Sequence, residues 1–280
     1  MNINFSIEEA VEKRVSVRNY LPREVESDTQ QEIETFIASL NNPFEKEVNF
    51  HFLDANGMEE QQRLGTYGVI KGAKQYIGTT IKVEPLTLEA LGYELEAVML
   101  YLAYKGLGTC WLGGTFNRKG FADAMDVGEE EMFPIITPYG YAAEKKHIKE
   151  IGMRKLIKAD QRKEWKELFF TEDFSTPLTK EDAEDLVFPL EMVRQAPSAS
   201  NKQPWRILRK GKAWHFYEYK EPGYSKHFSY DIQRVDMGIA AAHFDFALQE
   251  KGIKGSFDTA AEPEIELPEY MEYAFTWIRA

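Results

Sequence analysis

Two arginines and a serine near the start of the chain could bind an anion. They stand at alternate positions in Arg14-Val15-Ser16-Val17-Arg18. Each guanidinium offers a planar fork of N–H donors that matches phosphate oxygens, and the serine adds a hydroxyl. Taken alone, two arginines fit a solvated basic edge better. The segment therefore indicates a phosphate site only if a second ligand-binding element occurs in the chain.

A polar loop far along the chain is such an element. It runs between Pro197 and Pro204, neither of which fits inside a helix or a central strand. Short polar side chains and free backbone N–H groups lie between the prolines, at Ser198, Ser200, Asn201 and Gln203. A loop of this kind could hold a flat polar ligand at the mouth of the strand that begins with Trp205. An ordinary turn is the alternative, because these residue types are common turn formers.

The wording of both segments resembles that of a known family. Residues 196–205 read A-P-S-A-S-N-K-Q-P-W, similar to the A-P-S-S-x-N-x-Q-P-W loop of the nitroreductase family of FMN-dependent oxidoreductases. Residues 14–20 follow the R-x-S-x-R-x-[FY] pattern that binds the FMN phosphate in that family. Residues 106–111, G-L-G-T-C-W, are close to the family's segment under the flavin, and residues 132–141 resemble its strand ending in x-P-x-G-Y.

The resemblance implies a set of FMN-binding residues. Arginine, lysine and serine side chains would hold the phosphate, and glycines would let backbone approach the N5 edge of the ring because no Cβ intervenes. The set is Arg14, Ser16, Arg18, Tyr67, Gly68, Trp111, Leu112, Gly113, Gly114, Arg154, Lys155, Pro197, Ser198, Ala199 and Asn201. No catalytic side chain is expected, because the flavin carries the chemistry. Cys110 is interpreted as a small buried hydrophobe rather than a nucleophile.

The elements that position these residues can be read from caps and periodicity. A capping box at Ser6 and Glu9 predicts a first helix, and a similar signal at Ser27 predicts a second. The longest helix pattern runs over 87–105, with small residues such as Gly92 that permit close approach of another helix. A further helix is predicted over 117–125, and strands over 48–53, 75–78 and 132–141.

An internal repeat relates the two ends of the chain. Gly92 and Gly106 bracket one predicted helix, and Gly238 and Gly252 bracket a similar one. The first glycines of the two helices are 146 residues apart (238 − 92 = 146), and so are the second glycines (252 − 106 = 146). The sequence therefore predicts an α+β, nitroreductase-like three-layer fold in two tandem copies, residues 1–160 and 161–280, that form a pseudo-dimer within one chain. This arrangement resembles the tandem-repeat branch of the family.

The repeat also predicts a single FMN site for each chain. In the family each site combines R-x-S-x-R of one subunit with the P-S-x-x-N loop of the other. The second copy reads F-T-E-D-F-S at 170–175 where the arginines would stand, and Pro43 is followed by F-E-K rather than by a P-S-x-x-N loop. Carboxylates in place of arginines would repel a phosphate.

Composition limits the partners. The chain has 280 residues and a net charge of −12, which argues against nucleic acid or an anionic membrane as a partner. One cysteine excludes an internal disulfide, and the five histidines show no metal-site spacing. Neither a signal peptide nor a membrane span is evident, so we expect a cytoplasmic protein. Because the pseudo-dimer is internal to the chain, we expect a monomer, and its partner is a small-molecule acceptor.

The predicted activity follows from the resemblance. We expect an FMN-dependent oxidoreductase that transfers hydride from NAD(P)H through flavin N5 to a small electron-poor acceptor, such as a nitroaromatic or a quinone, with ping-pong kinetics. The alternative is a flavin-binding or structural protein without redox turnover. Reduction of bound flavin by NADH would discriminate between the two.

Overall fold

The computed structural model describes residues 3–56, 64–144 and 148–280. The helices in these ranges are α1 (Ile7–Lys13), α2 (Ser27–Ala38), α3 (Thr87–Tyr104), α4 (Arg118–Ala124), α5 (Ile148–Leu156), α6 (Trp165–Leu168), α7 (Lys180–Ala183), α8 (Val187–Gln195) and α9 (Gln233–Lys251). The strands are β1 (Asn49–Asp54), β2 (Gln75–Ile81), β3 (Gly108–Thr109), β4 (Met132–Gly140), β5 (Phe169–Thr171), β6 (Asp173–Pro177), β7 (Trp205–Lys210), β8 (Ala213–Tyr219), β9 (Gly255–Asp258) and β10 (Met271–Arg279).

The helix starts largely follow the sequence signals. Ser6 caps α1, because its Oγ accepts a hydrogen bond from the Glu9 backbone N–H at 3.3 Å. The second helix begins at Ser27 as predicted, but its N-cap residue is Glu26, which makes no side-chain cap bond. The Glu26 carboxylate is instead bonded by Arg23 and Tyr141, so it is not available to the helix end.

The strands form two sheets that share one topology. The first has the order β1-β2-β4-β3, and the second has the order β6-β5-β7-β8-β10-β9. Every neighbouring pair within β1-β2-β4-β3 and within β7-β8-β10-β9 is antiparallel, so these four-strand runs match in order and direction. The second sheet adds β5, which pairs in parallel with β7, and β6. This match confirms the prediction of two tandem copies, while the boundary at residue 160 stays a prediction. Below, the first half is the unit that contains β1–β4, and the second half is the unit that contains β5–β10.

Helices α3 and α9 hold the two halves together. Both are buried along nearly their whole length, and one hydrophobic core contains residues from each of them and from both sheets. Their backbones approach at Gly92, where an added Cβ would lie 2.1 Å from the Val235 carbonyl oxygen. The small-residue pattern of the long helix therefore does permit close helix packing, as predicted.

Buried polar pairs fix the relative positions of these helices. Tyr93 of α3 donates a hydrogen bond to Asp245 of α9 at 2.6 Å. Glu96 of α3 lies 2.9 Å from the His243 ring of α9, and both side chains are fully buried. A buried polar group without its partner costs free energy, so such pairs penalise any change of register between the helices.

Candidate functional site

A cavity of about 280 Å³ lies between the two halves of the chain. Much of its wall is apolar. The apolar lining residues include Ile135 of β4, Val235 and Ile239 of α9, Ile157 just after α5 and Ile232 just before α9. Several predicted site residues also line it, namely Arg18, Trp111, Leu112, Gly113, Gly114, Ser198 and Ala199. The structure thus brings the arginine motif, the glycine-rich segment and the polar loop to one concave site.

Pairing between backbone segments explains how the arginine motif reaches the cavity. Ser16 forms an isolated parallel bridge with Thr109, and the Val17 N–H donates to the Thr109 carbonyl at 2.8 Å. A Cβ on Gly108 would lie 2.6 Å from the Val17 side chain, so only glycine allows this approach. The motif is consequently held beside the segment that carries Trp111.

The arginines of the motif have unused hydrogen-bond donors. Arg18 is only 7% exposed and lines the cavity, yet its Nε and Nη1 have no hydrogen-bond partner among the described residues. Arg14 Nη1 is in the same condition, and its Nε lies 3.8 Å from Glu96 Oε1. Buried guanidinium N–H groups without acceptors are costly. An anion beside them would remove that cost, so these residues fit a phosphate group.

The arginine region extends beyond the predicted motif. Burial lowers the pKa of Arg162, and the positive charges of Arg14 and Arg194 lower it further. Arg162 spends its donors on backbone carbonyls, including two bonds to Gln195 at 3.1 and 3.2 Å. It therefore contributes positive charge near Arg14. Its hydrogen bonds also attach the segment between α5 and α6, called the linker below, to the end of α8.

The polar loop has one side on the cavity and the other on the linker. Ser198, Ala199 and Ser200 line the cavity, and Tyr224 donates a hydrogen bond to Ser200 Oγ at 2.8 Å. Asn201 does not line the cavity: its Nδ2 donates to the carbonyls of Lys158 and Gln161 at 2.8 and 3.0 Å. Pro197 also lies outside the cavity lining. Asn201 thus holds the connection between the halves in place.

The remaining predicted residues lie at the edge of the site or away from it. Tyr67 and Gly68 have left-handed backbone, with φ of 49° and 72°, and the Tyr67 side chain is 67% exposed. Their neighbour Val69 lines the cavity instead. Arg154 forms an ion pair with Asp160, and Lys155 is exposed on the last turn of α5. Neither of these two basic residues lines the cavity.

The two glycines let the second half close over the first. A Cβ on Gly113 would lie 2.7 Å from Ile232 Cδ1, and a Cβ on Gly114 would lie 3.3 Å from Phe228 Cζ. Side chains of the second half therefore reach the backbone of the first at these positions. The absence of a Cβ at both positions permits this close approach.

A buried network supports the cavity wall at Trp111. Its indole Nε1 donates to Glu96 Oε2 at 2.9 Å, and the other Glu96 oxygen faces His243 Nε2 at the same distance. The second nitrogen of His243 faces the Met192 carbonyl oxygen at 2.9 Å. Glu96 thus links α3, α8, α9 and the indole that lines the site. The sequence analysis did not select it, since an acidic residue within a long helix pattern carries no distinctive signal.

Asp236 is a further residue that the sequence analysis missed. It lines the cavity, is 2% exposed, and accepts a hydrogen bond from the Ala199 N–H through Oδ1 at 2.9 Å. Its Oδ2 has no hydrogen-bond partner among the described residues. Burial raises the pKa of Asp236 well above its usual range. An available signal was its place at the start of an otherwise apolar run, M-G-I-A-A-A, in the second repeat.

The pseudo-symmetric counterpart of the cavity is filled with aromatic rings. The repeat offset pairs Trp111 with Phe257 (257 − 111 = 146) and Ile239 with Tyr93 (239 − 93 = 146). Phe44, which is buried, packs between these counterparts, with ring centroids 6.5 Å from Tyr93 and 6.2 Å from Phe257. It also lies 5.2 Å from the ring of Phe275. A ligand could not enter there without displacing Phe44.

Other kinds of site receive no support from the described part of the chain. Within it, no group of three or more histidine, cysteine, aspartate or glutamate side chains could hold a metal ion; His147 lies outside it. Cys110 is buried, and its thiol lies 3.8 Å from the Trp111 carbonyl oxygen. No helix in the described ranges combines the length and the apolar character that a membrane crossing requires.

The fold and the cavity define a protein of the nitroreductase type. The sequence model of the family described as "Putative TM nitroreductase" matches residues 6–248, so the chain belongs to that family. A "putative nitroreductase" of Thermotoga maritima aligns with 100% of this chain and 96% of its own, at 20% identity and a TM-score of 0.63. This likeness shows the fold and confirms the predicted nitroreductase-like α+β architecture over the whole chain.

Shorter nitroreductases align with about half of the chain. An FMN-dependent nitroreductase of Clostridium difficile covers 50% of this chain and 89% of its own, at 18% identity and a TM-score of 0.42. A nitroreductase with bound FMN from Bacteroides fragilis covers 52% and 92%, at 16% identity and a TM-score of 0.41. No curated protein matches the sequence.

Proposed function

We propose that the protein is an FMN-dependent oxidoreductase with one FMN site in the cavity between its halves. The observation that carries this proposal is Arg18. The guanidinium of this residue of the R-x-S-x-R motif is buried and lines the cavity, and two of its donors have no acceptor among the described residues. The chain as a whole carries a net charge of −12, so a bound phosphate requires local positive charge. Arg14, Arg18 and Arg162 supply it.

Residues that line the cavity and residues of the predicted set around it would each bind a different part of FMN. Arg14, Ser16 and Arg18 would hold the phosphate, with Arg154 and Lys155 at the rim. Gly113 and Gly114 would expose backbone to the ring, and the loop of Ser198 and Ala199 would lie across from them. Trp111, Leu112 and the isoleucine side chains would exclude water, which strengthens polar contacts inside the cavity.

Bound FMN would supply N5, which accepts a hydride and later delivers it. We propose NAD(P)H as the donor and a small electron-poor molecule, such as a nitroaromatic or a quinone, as the acceptor. Because one cavity would admit both in turn, the kinetics would be ping-pong. The chain would act as a monomer in the cytoplasm, since its own two halves complete the site and its single cysteine needs no oxidising compartment.

Anaerobic reduction tests this function directly. The FMN-loaded protein is mixed with NADH or NADPH in the absence of oxygen, and flavin absorbance is followed. We expect bleaching within seconds with at least one of the two donors, followed by recovery of the colour when a quinone is added. Flavin that stays oxidised with both donors would favour the alternative, a flavin-binding protein without turnover.

A further inference from the structure

Asp236 has a feature that the proposed function does not use. It lines the cavity that Arg18 also lines, and only one of its two carboxyl oxygens has a hydrogen-bond partner among the described residues. Oδ1 accepts the Ala199 N–H at 2.9 Å, whereas Oδ2 is buried without a partner in the described part of the chain. A buried polar atom in a ligand-sized cavity points to a ligand atom as its partner.

The surroundings of Asp236 decide its protonation. Its burial is nearly complete, and the basic residue Arg18 lines the same cavity. The charged or titratable groups that act on it are Glu218 of β8, Asp231 before α9, Glu96 of α3 and Tyr224 beyond the polar loop. Burial raises the pKa of Asp236 most, and the neighbouring acidic groups raise it further, so both favour the neutral acid.

The hydrogen bond from Ala199 then fixes which oxygen carries the proton. Oδ1 accepts an N–H, and the carbonyl oxygen of a carboxylic acid is a better acceptor than its hydroxyl oxygen, so the favoured position for the proton of the neutral acid is Oδ2. Asp236 therefore presents an O–H donor for which the described part of the chain offers no acceptor. Without a ligand, this donor is a buried unsatisfied group.

We propose that Asp236 binds the ligand of the cavity as a neutral hydrogen-bond donor, through an O–H at Oδ2 that meets an acceptor oxygen or nitrogen. The inference rests on the proposed function to the extent that FMN is taken as this ligand. The FMN ring system carries carbonyl oxygens and unsaturated ring nitrogens, which are acceptors of the required kind. The same residue anchors the polar loop through Ala199, so one side chain would couple ligand binding to the position of that loop.

Two substitutions separate the donor role from a negative charge. Asp236→Asn keeps an acceptor for the Ala199 N–H and places an N–H donor at the position of Oδ2, so FMN affinity at pH 7 should stay within about threefold of wild type. Asp236→Ala removes both bonds, and the affinity should fall about tenfold or more. If Asp236 acted through a negative charge, both variants would lose that charge. Asp236→Asn would then bind FMN as weakly as Asp236→Ala.

Dependence on pH separates the donor role from loop anchoring alone. As pH rises, Asp236 would lose its proton and its donor, so wild-type affinity for FMN should fall at alkaline pH while that of Asp236→Asn stays level after correction for titration of free FMN. If Asp236 only anchored the polar loop, it would need only an acceptor for the Ala199 N–H. An ionised carboxylate is a better acceptor than the neutral acid, so affinity would not fall as pH rises. A wild-type profile that is as level as that of Asp236→Asn would overturn the inference.

Infrared difference spectroscopy gives a readout that is independent of turnover. The apoprotein should show a carbonyl band of a protonated carboxyl group that Asp236→Asn lacks, and FMN should shift this band in the wild type. If the wild type binds no FMN, the proposed function fails but the apoprotein band still reports on Asp236. If FMN binds and the band is absent or does not move, the inference fails while the function stands.

Discussion

Gly92 of α3 and Gly238 of α9 face each other without intervening side chains. A Cβ on Gly92 would lie 3.1 Å from Gly238 Cα, and a Cβ on Gly238 would lie 1.9 Å from the Glu89 carbonyl oxygen. The two glycines occupy equivalent positions of the repeat, so their contact lies near the pseudo-twofold axis that relates the two halves. Val235, Asp236 and Ile239 flank Gly238 and line the cavity. The crossing of the two helices therefore sets the position of one cavity wall.

Substitution of Gly238 tests this crossing. Gly238→Ala would force the helices apart, and we expect a loss of about 3 kcal/mol or more in the free energy of unfolding, measured by urea denaturation. Gly152→Ala is the matched control: this glycine also lies in a helix, but a Cβ there would meet nothing within 4 Å. It should be neutral or stabilising by up to about 1 kcal/mol. Equal stability of the two variants would show that the crossing tolerates separation.

The arginine motif makes a prediction about affinity. Each charge-assisted hydrogen bond from a guanidinium contributes about 1.5–3 kcal/mol. Arg18→Ala should therefore weaken FMN binding at least tenfold, measured by fluorescence titration, with little loss of folded protein. Arg23→Ala removes the same charge from an exposed ion pair with Glu26 and should leave the affinity unchanged. Arg18→Ala protein that retains stoichiometric FMN through dialysis would disprove the phosphate assignment.

The Glu96 network makes a prediction about stability. Its two oxygens accept from Trp111 and contact His243, each at 2.9 Å. Glu96→Met keeps most of the side-chain volume but removes both oxygens, so the indole N–H of Trp111 and the ring of His243 would lose their buried partner. We expect a loss of about 1–3 kcal/mol in the free energy of unfolding, measured by urea denaturation, and altered Trp111 fluorescence. The control Glu12→Met makes the same change on an exposed face of α1 and should have no effect. A Glu96→Met protein as stable as the wild type would mean that the network adds little.

Glu94 makes a prediction about pH. Burial raises its pKa to about 7, although Asn42 donates to it at 2.7 Å. The folded state thus holds a proton that the unfolded state releases near pH 4.5, and the stability that this proton contributes is lost as pH rises from about 4.5 to 7. Glu94→Gln should remove that loss and raise the free energy of unfolding at pH 8 by on the order of 2–3 kcal/mol. Parallel stability–pH curves for the two proteins would contradict the assignment.

Local signals in the sequence predicted much of the fold. The cap at Ser6 and the apolar face over 87–105 are patterns among residues close in sequence. Both predicted helices are present in the structure, as α1 and α3. The glycine pairs at a constant offset also predicted the two copies that the matching sheet orders confirm. The cap at Ser27 was not realised, because Glu26 precedes the helix and its carboxylate is bonded to Arg23 and Tyr141.

Site residues could be predicted only where they belong to a motif of neighbouring residues in the sequence. The arginine segment and the polar loop were found from their wording, and both reach the cavity. Asp236 and Glu96 could not be found that way, since their importance depends on partners 37 residues away at Ala199 and 147 residues away at His243. Asn201 shows that a clear motif does not by itself place a side chain in the site. Its side chain donates to the carbonyls of Lys158 and Gln161 and does not line the cavity.

The central claim is one FMN site per chain, formed by both halves. Titration of the apoprotein with FMN, followed by flavin fluorescence at a known protein concentration, tests it most directly. We predict saturation at one equivalent per chain, because the arginine motif and the polar loop meet at one cavity while Phe44 fills its counterpart. An endpoint at two equivalents would contradict the account, and so would the absence of saturable binding.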